Sequence, residues 1–530
     1  MLKVWSIVAA IAIGALLGTT PLLDPDEGRN AEVGREMAET NDYVLPHLDG
    51  LPYLDKPIVY FASEAAAMEV LGPTELAARL PAYLFTLATA VVIFWFGRRL
   101  WGVDDACVAV IAYLSMPLTI AFARTVIFDS ALTFFIVVAI VAFYFAIETN
   151  ERKWAPLAWL AMGFGVLTKG PVALALPLLV AIPYAIWRRG GRRVWSIAGL
   201  VLFVAVIAPW VLAVQRTIPD FLRYVMVTET AQRLTTGALK RTGPPWYFIP
   251  YLIGGALPWS IALLNKPRTE DRGPRTVFLW CWLLIPFVFF SLSQSKRPQY
   301  ILPVMPAIAL LVASRGVRLR VAAIVAAVFG AIVVAAPLMP QFSRKMDPVI
   351  VRPAEEAAYI LGALLVIGGI VAAIAKRRDI GVIALSIPFL AIPLATTVLL
   401  DALGERRSEK SLVAQIAPKV TPHVNVIGVE SYTGTMSFYL RKPVIVASDD
   451  AEEFTSNYII RHYSAFSAAP ASTLKPMAWL RQTIDGCCTV RLYIVRTKDA
   501  PSRALFESRG LRPIAEAAHY VAYGPVTGRD

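Results

Sequence analysis

The feature that most constrains this chain is a series of apolar segments, each long enough to cross a bilayer, over the first 400 residues. A hydrocarbon core about 30 Å thick needs about 20 apolar residues in a helix to span it. Hydrophobic residues make up 57% of the 530 residues and charged residues only 17%, which is more apolar surface than a soluble chain can bury. The sequence therefore predicts a mainly α-helical, polytopic membrane protein. We place about thirteen spans, near residues 4–23, 77–97, 103–123, 126–147, 154–168, 170–187, 194–214, 246–264, 276–293, 299–314, 319–338, 357–375 and 380–400.

Two of these segments, 154–168 and 170–187, are short and meet at Thr168-Lys169-Gly170-Pro171. They could form one helix, a re-entrant pair or a tight hairpin. Because Gly-Pro breaks helices and a lysine in the middle of a single span would be costly in lipid, the sequence favours the hairpin.

The orientation follows from arginine and lysine residues in the short loops, which the positive-inside rule assigns to the cytoplasm. In a thirteen-helix arrangement the basic groups at 98–99, 152–153, 188–193, 266–275, 315–320 and 376–378 all fall on one side. The first apolar segment lacks a small-residue cleavage site, so we interpret it as a retained helix. The first outer loop, 24–76, and the C-terminal tail are then expected outside. The net charge of +13 is largely accounted for by the inner loops and requires no nucleic-acid partner.

Basic residues also occur in the predicted outer loops, where the positive-inside rule does not place them. They indicate that an anionic ligand is held on the outer face. These residues are Arg124, Lys169, Arg216, Arg223, Arg233, Lys240, Arg241, Lys296 and Arg297.

After about residue 400 the pattern changes to short β-branched runs, VNVIGV, PVIVAS and VRLYIV, separated by helix-compatible segments. The sequence thus predicts two domains. Residues 1–400 form the transmembrane domain, including the first outer loop with its juxtamembrane helices, and residues 401–530 form a soluble α/β domain on the periplasmic side.

The first outer loop begins with DPDEGRNAEVGREM, residues 24–37. Residues 26–40 have helical propensity, and Asp26 and Arg29 are neighbours three positions apart on such a helix. A plain alternative is helix capping, since acidic residues in a first turn interact favourably with the helix dipole. Further along, HLDGLPYLDKPIVYF adds the pair Asp55-Lys56, which is either a solvated turn or part of a site. In the second interpretation Lys56 and Arg29 bind a phosphate of the substrate, and Asp26 contacts the group that reacts.

These residues resemble a known family. The stretch PDEGRNAEVGREMAETNDYVLPHLDGLPYLDKPIVYF is similar to the first outer loop of the bacterial aminoarabinose transferases of lipid A, within the polyprenyl-phosphate-sugar glycosyltransferases that include protein mannosyltransferases. ARTVIFDSALTFF, GFGVLTKGPVALALP, PPWYFIPYLIGGALPW and SLSQSKRPQYILPVMPAIALL follow in the family's order and spacing, so the resemblance covers about the first 315 residues.

The resemblance implies a GT-C-type membrane glycosyltransferase of the bacterial inner membrane, acting on the periplasmic face. Its donor would be a sugar on undecaprenyl or another polyprenyl phosphate, and its acceptor lipid A or a related envelope glycolipid. Such an enzyme is expected to be inverting and monomeric, and it needs no nucleotide, in keeping with a sequence that lacks a convincing dinucleotide fingerprint.

The resemblance also assigns residues. Asp26 takes the place of the family's essential first-loop aspartate, and Glu27 and Arg29 complete its Asp-Glu-x-Arg pattern. Lys56, next to Asp55 and near Tyr53, matches a lysine that contacts the lipid phosphate. The other expected substrate contacts are Asp129, Lys169, Arg297 and Tyr300.

Simpler interpretations stand beside these assignments. Asp129 could merely start a helix, Lys169 could extend to the membrane interface, and Arg297 with Lys296 could anchor the chain. Tyr53 and Tyr300 could belong to the aromatic belt.

Two departures from the family concern a metal. The family's Glu-Lys is Asp55-Lys56 here. The histidine that some members carry shortly before Pro-x-Trp-Tyr has no counterpart, and Lys240 and Arg241 occupy that region of the sequence. Those two family positions can bind zinc, and a basic residue in place of a ligand would repel the ion. We therefore expect no zinc and assign the positive charge there to Arg241; no metal ligands are assigned, and a divalent metal is left open as a cofactor.

Two further functions remain open from the sequence. One is a protein O-glycosyltransferase of the mannosyltransferase type. The other, a lipid or sugar-lipid transporter, would require functional polar residues on both sides of the bilayer and an inverted repeat. The acids and bases gather on one face and no repeat is visible, so the enzyme is favoured.

Overall fold

A computed structural model describes residues 1–149, 151–225, 242–264, 273–315, 319–344, 346–484, 490–517 and 519–526. These residues form two compact units. The first, the membrane unit, comprises the described parts of Met1–Leu17 and Arg79–Leu399. The second, the loop–tail unit, comprises those of Gly18–Ala78 and Leu400–Asp530. The sequence analysis counted the first outer loop with the transmembrane domain, whereas in the structure its residues pack with the C-terminal residues.

The membrane unit is built from α-helices and short 3-10 helices. The α-helices that lie in it or run into it are Leu2–Gly14, Glu75–Trp101, Val103–Leu114, Pro117–Ala123, Asp129–Thr149, Trp154–Lys169, Val172–Trp187, Ile197–Thr217, Phe221–Arg223, Phe248–Gly255, Pro274–Leu292, Met305–Arg315, Leu319–Ala335, Pro340–Ser343, Pro348–Ile374, Arg378–Leu390, Ile392–Ala395 and Thr397–Arg407. The 3-10 helices are Gly191–Val194, Pro245–Tyr247, Trp259–Leu264, Pro298–Val304 and Ala336–Leu338.

Seven helices of the described residues are long and apolar enough to cross a membrane. The number is eight if Val103–Leu114 and Pro117–Ala123, which meet at 66°, form one bent span. Leu2–Gly14, Val172–Trp187 and Pro298–Ser314 are apolar but shorter. The chain is therefore a multi-pass, mainly helical membrane protein. The figure of thirteen spans stays a prediction, because several of its segments are short or broken helices whose length alone does not establish a crossing.

The predicted break after Lys169 is present, so residues 154–187 do not form one continuous helix. The helix Trp154–Lys169 ends at Gly170, whose φ of 94° is a backbone conformation that glycine adopts without strain, and Val172–Trp187 then begins. Several buried polar groups of this unit are hydrogen-bonded within it. The Trp259 indole N–H, for example, donates to the Ser115 hydroxyl at 2.8 Å.

The loop–tail unit contains two sheets. The strands β1 (His47–Leu48) and β2 (Leu51–Pro52) form an antiparallel hairpin. The remaining strands form a six-stranded sheet in the order β5-β4-β3-β6-β8-β7, in which β3 to β6 are parallel and β7 and β8 antiparallel. They are β3 (Asn425–Val429), β4 (Ile445–Ala447), β5 (Leu474–Lys475), β6 (Arg491–Arg496), β7 (Pro513–Ala517) and β8 (Tyr520–Val526). The three β-branched runs of the sequence lie at β3, β4 and β6, as predicted.

Helices surround these strands. The two longest, Asp26–Thr40 and Ile58–Leu71, come from the first outer loop. The shorter ones are Lys410–Ile416, Gly434–Leu440, Asn457–Arg461, Tyr463–Ala468, Met477–Thr483 and Ala500–Ser508, with 3-10 turns at Ala417–Lys419 and Glu452–Phe454. The helix Asp26–Thr40 has the bounds expected from sequence, and it packs closely on Gly434–Leu440. A Cβ atom on Gly434 would lie 2.2 Å from the backbone nitrogen of Arg29, so this close contact requires glycine.

Candidate active-site residues in the two units

The start of the helix Asp26–Thr40 carries the acid–base pair predicted from the sequence. An Asp26 carboxylate oxygen accepts a hydrogen bond from Arg29 Nη2 at 2.7 Å. The Arg29 side chain is 12% exposed, and its Nη1 also donates to the Thr455 hydroxyl at 2.5 Å and to the Thr455 carbonyl at 3.2 Å. The Asp26 side chain is 33% exposed, so the structure holds the arginine and leaves the carboxylate accessible.

Charged neighbours surround the Arg29 guanidinium. Burial lowers its pKa, but nearby Tyr53, Asp26 and Asp55 outweigh burial and hold the pKa above its ordinary value. Arg29 is therefore a permanent cation that orients the Asp26 carboxylate.

The structure places Glu27 differently from Asp26. Its side chain is buried, and its carboxylate accepts a hydrogen bond from the Leu23 backbone N–H at 3.0 Å. This contact fixes the entry of the chain into the helix, so the geometry fits a positioning role better than contact with substrate.

Asp55 also has a clear structural task. Its two carboxylate oxygens accept hydrogen bonds from the backbone N–H groups of Asn457 and Tyr458, each at 3.0 Å, and thereby cap the helix Asn457–Arg461. Lys56 is only half-buried, and its Nζ donates to the Asp55 carbonyl at 2.5 Å. Tyr53 is buried with its ring edge-on to Phe61. Of these three residues, Lys56 is the one whose side chain reaches solvent.

A second cluster of predicted residues lies in the membrane unit. Lys169, the last residue of its helix, forms an ion pair with Asp129, the first residue of the helix Asp129–Thr149, at 2.5 Å. The Lys169 ammonium also lies 5.0 Å from the centre of the Tyr300 ring, a cation–π distance. One Asp129 oxygen, Oδ2, is buried without a hydrogen-bond partner among the described residues. Asp129, Lys169 and Tyr300, which the resemblance assigned separately to substrate contacts, therefore lie together in one cluster.

The segment before Tyr300 is held by Lys296. The Lys296 ammonium donates to the Ser291 and Ser293 carbonyls, each at 2.7 Å, and lies 5.7 Å from the centre of the Phe248 ring. Its neighbour Arg297 immediately precedes the 3-10 helix Pro298–Val304 that contains Tyr300. Lys296 thus fixes the turn that presents Arg297 and Tyr300.

Two other predicted cations have different outcomes. Arg124, expected among the outer anion-binding residues, donates to the carbonyls of Ile13 and Ala15 at 2.8 and 2.7 Å and so caps the first helix of the membrane unit. Arg241, assigned the positive charge in place of the family histidine, lies outside the described residues.

The sequence analysis missed a buried carboxyl network in the loop–tail unit, formed by Glu32, Glu36 and Asp49. Their ligand-type oxygens lie within 4.8 Å of one another, and Arg35 donates to both Glu32 oxygens at 2.6 and 2.7 Å. Asp49 accepts hydrogen bonds from Ser437 and from the Val444 backbone N–H. The spacing of Glu32, Arg35 and Glu36 on one helix could have indicated part of this network. The partners Asp49, Ser437 and Val444 are distant in sequence and could not be predicted.

Burial governs the ionisation of this network. Desolvation, reinforced by the charge of Asp49, raises the pKa of Glu36 to about 7. Desolvation likewise raises the pKa of Asp49 to about 6, against the lowering effect of its hydrogen bonds. Protonation of Glu36 therefore falls near neutral pH, and burial of the network reduces the charge that it carries there.

Comparison with known proteins supports the resemblance. The model described as dolichyl-phosphate-mannose-protein mannosyltransferase matches residues 55–213. The crystal structure of ArnT from Cupriavidus metallidurans bound to undecaprenyl phosphate superposes with a TM-score of 0.85 at 25% identity, covering 100% of this chain and 99% of that one. The chain is therefore similar to the aminoarabinose transferases, as the sequence motifs indicated, and shares the fold of ArnT.

Curated relatives within this family are also similar. The undecaprenyl phosphate-alpha-4-amino-4-deoxy-L-arabinose arabinosyl transferase of Aeromonas hydrophila subsp. hydrophila is 35% identical over 314 residues, 57% of each chain. The protein of the same description from Erwinia tasmaniensis is 32% identical over 312 residues, 56% of each chain. The match thus spans just over half the length of these curated relatives.

Proposed function

We propose that this protein is an inner-membrane glycosyltransferase that moves a sugar from a polyprenyl phosphate, undecaprenyl phosphate in particular, to lipid A or a related envelope glycolipid. The observation that carries the proposal is the match over the whole chain to a transferase structure bound to undecaprenyl phosphate. The paired charges at Asp26–Arg29 and Asp129–Lys169 support it, because they supply the groups that such a transfer needs.

The chemistry explains why those groups suit the reaction. An acceptor oxygen forms a bond to the anomeric carbon of the sugar while the bond from that carbon to the phosphate oxygen breaks. The electron pair of the broken bond stays on the polyprenyl phosphate that departs, and positive charge develops on the sugar ring. Cations therefore stabilise the leaving group, and a carboxylate stabilises the ring or orients the acceptor.

We assign Asp26 the carboxylate role, because it is the more accessible member of its ion pair. When the acceptor is a phosphate of lipid A, no general base is needed and Asp26 acts through its charge. When the acceptor is a hydroxyl, Asp26 accepts its proton. From the resemblance, we assign Lys56 of the loop–tail unit to phosphate binding. In the membrane unit we assign substrate binding to Lys169 and Arg297, with Tyr300 beside Lys169, and Arg241 is assigned the same role from the sequence alone.

Glu27, Tyr53, Asp55 and Asp129 complete the proposed site in supporting roles. Each is buried, so we assign them the positioning of the residues that contact substrate. For the chain as a whole we propose thirteen spans, a soluble α/β domain at 401–530, a reaction centre on the periplasmic side, an inverting mechanism and a monomeric state.

A second candidate function is protein O-glycosylation. The match of residues 55–213 to the protein mannosyltransferase family model favours it. The two functions use the same donor class and differ in the acceptor, so one experiment separates them.

That experiment is mass spectrometry of lipid A, total glycolipids and glycoproteins from the host with the wild-type protein, without it, and with Asp26→Asn. We expect one hexose- or pentose-sized mass to disappear from lipid A in both altered strains, with transfer reduced at least about 100-fold by Asp26→Asn. Glu39→Gln, which neutralises a solvent-exposed carboxylate of the same helix, is the matched control and should keep the modification.

Each other outcome has a definite meaning. A mass lost from glycoproteins instead of lipid A favours the protein transferase. An unchanged profile in all three fractions overturns the transferase proposal and leaves the transporter.

A further inference from the structure

A cavity of about 820 Å³ lies in the membrane unit, where the helix Val172–Trp187 ends and the chain turns toward the next helix. It lies at the opposite end of the helix Val172–Trp187 from Lys169. Its lining combines guanidinium groups with apolar side chains, namely Arg189, Arg192 and Arg193 with Ile182, Ile186 and Trp195.

The turn that carries these arginines is a folded element. The backbone N–H of Arg188 donates to the Tyr184 carbonyl at 2.9 Å, and that of Gly190 donates to the Ala185 carbonyl at 2.7 Å. The Trp159 indole then donates to the Val194 carbonyl at 3.0 Å. The arginines are therefore presented by a hydrogen-bonded turn at defined positions.

The four arginines of this turn differ in their partners. Arg188 forms a two-pronged ion pair with Glu148 at 2.8 and 3.0 Å, and Arg193 donates to the Ile147 carbonyl. Arg189 and Arg192 are exposed and form no ion pair with a carboxylate of the described residues. Arg188 and Arg193 are thus engaged at the end of the helix Asp129–Thr149, whereas Arg189 and Arg192 are available to an external anion.

The apolar part of the cavity indicates what kind of anion this is. Trp195 and Ile186, which line the cavity, are 60% and 67% exposed, and Trp187 next to Ile186 in the chain is 54% exposed. Tryptophan beside arginine at the end of a membrane helix is typical of the headgroup level of a bilayer. A small free anion would gain nothing from isoleucine walls, whereas acyl chains would bury them.

We propose that this cavity binds an anionic phospholipid of the cytoplasmic leaflet. Its phosphate contacts Arg189 and Arg192, and its acyl chains lie against Ile182 and Ile186. The cytoplasmic side follows from the positive-inside assignment of this loop. The proposal is independent of the sugar-transfer proposal.

The test is native mass spectrometry of the delipidated full-length protein in detergent, titrated with phosphatidylglycerol or phosphatidylcholine. Each exposed arginine near a headgroup contributes about 1 kcal/mol to binding. We therefore expect Arg189→Gln and Arg192→Gln each to weaken phosphatidylglycerol binding about 5-fold, and the double variant about 25-fold, with phosphatidylcholine unaffected.

The matched control is Arg98→Gln with Arg152→Gln, which removes two exposed charges on the same predicted side that do not line the cavity. Binding unchanged in the double variant, or weakened equally in the control, overturns the proposal. Competition by millimolar inorganic phosphate as effective as that by lipid would show a free-anion site and would also overturn it. The single variants give the result if the double variant proves unstable.

Discussion

At the scale of single residues, charge placement distinguishes groups that contact substrate from groups that support them. The side chains of Asp26 and Lys56 reach solvent. Both carboxylate oxygens of Asp55, by contrast, accept hydrogen bonds from the backbone N–H groups of Asn457 and Tyr458. The sequence alone could not separate Asp55 from Lys56, because the capped helix is 402 residues away along the chain.

We expect Lys56→Ala to raise the KM for the polyprenyl-phosphate-sugar donor about 10-fold while changing kcat little. The reason is that a half-exposed lysine contributes to binding the donor phosphate in the ground state as well as in the transition state. Steady-state kinetics with donor and lipid A in detergent measure this. Lys475→Ala is the control, since that lysine also donates to backbone carbonyls of the loop–tail unit. An unchanged donor KM would remove Lys56 from the phosphate site.

The Asp129–Lys169 pair predicts a double-mutant pattern. Lys169→Met leaves the Asp129 carboxylate buried without its cation, which should destabilise the protein by about 3–5 kcal/mol. Asp129→Asn combined with Lys169→Met removes both charges and should restore most of the thermal stability in detergent. Because Lys169 is assigned to substrate binding, the stable double variant should still be inactive. Full activity in that variant would limit the pair to a structural role.

At the scale of elements, the helix Asp26–Thr40 has two functions. Its first turn presents Asp26 and Arg29, and its later turns bury Glu32, Arg35 and Glu36. The sequence predicted the helix from its propensity and the first pair from the three-residue spacing. The buried network escaped prediction because it needs Asp49 from the β1–β2 turn and Ser437 from a helix about 400 residues later.

The buried network predicts a pH dependence of stability. The pKa of Glu36 is about 7 in the folded protein and about 4.5 ordinarily, so the folded state binds the proton more tightly. The resulting stabilisation is complete below about pH 4.5 and is lost as the pH rises through about 7. We expect a higher Tm at pH 5.5 than at pH 8, and Glu36→Gln should reduce the pH-dependent part by about 1–3 kcal/mol. Thermal unfolding in detergent measures this.

A matched control separates this effect from general charge effects. Glu452→Gln removes an exposed carboxylate of the same unit that is outside the network, so the pH dependence should persist. If Glu36→Gln leaves the dependence as large as Glu452→Gln does, Glu36 does not titrate as the structure indicates.

At the scale of the whole molecule, the composition of the loop–tail unit constrains membrane topology. Residues 18–78 follow the first apolar segment, residues 400–530 follow the last, and both belong to one compact unit. Both must then lie on the same side of the membrane, so the chain between them crosses an even number of times. If the first segment crosses once, as we propose, the total is odd, which fits the proposed thirteen spans with termini on opposite sides.

Alkaline phosphatase fusions test this topology, because the enzyme folds only in an oxidising compartment outside the cytoplasm. We expect activity when it is inserted after Gly50 or fused after Asp530, and no activity when it is fused after Gly190. The two active positions are linked by the single unit that contains them, so they should agree in every case. Activity at Gly50 but not at Asp530 would mean an even number of spans and would contradict the packing of both segments in the loop–tail unit. Activity at Gly190 would reverse the orientation and place the Asp26–Arg29 pair in the cytoplasm.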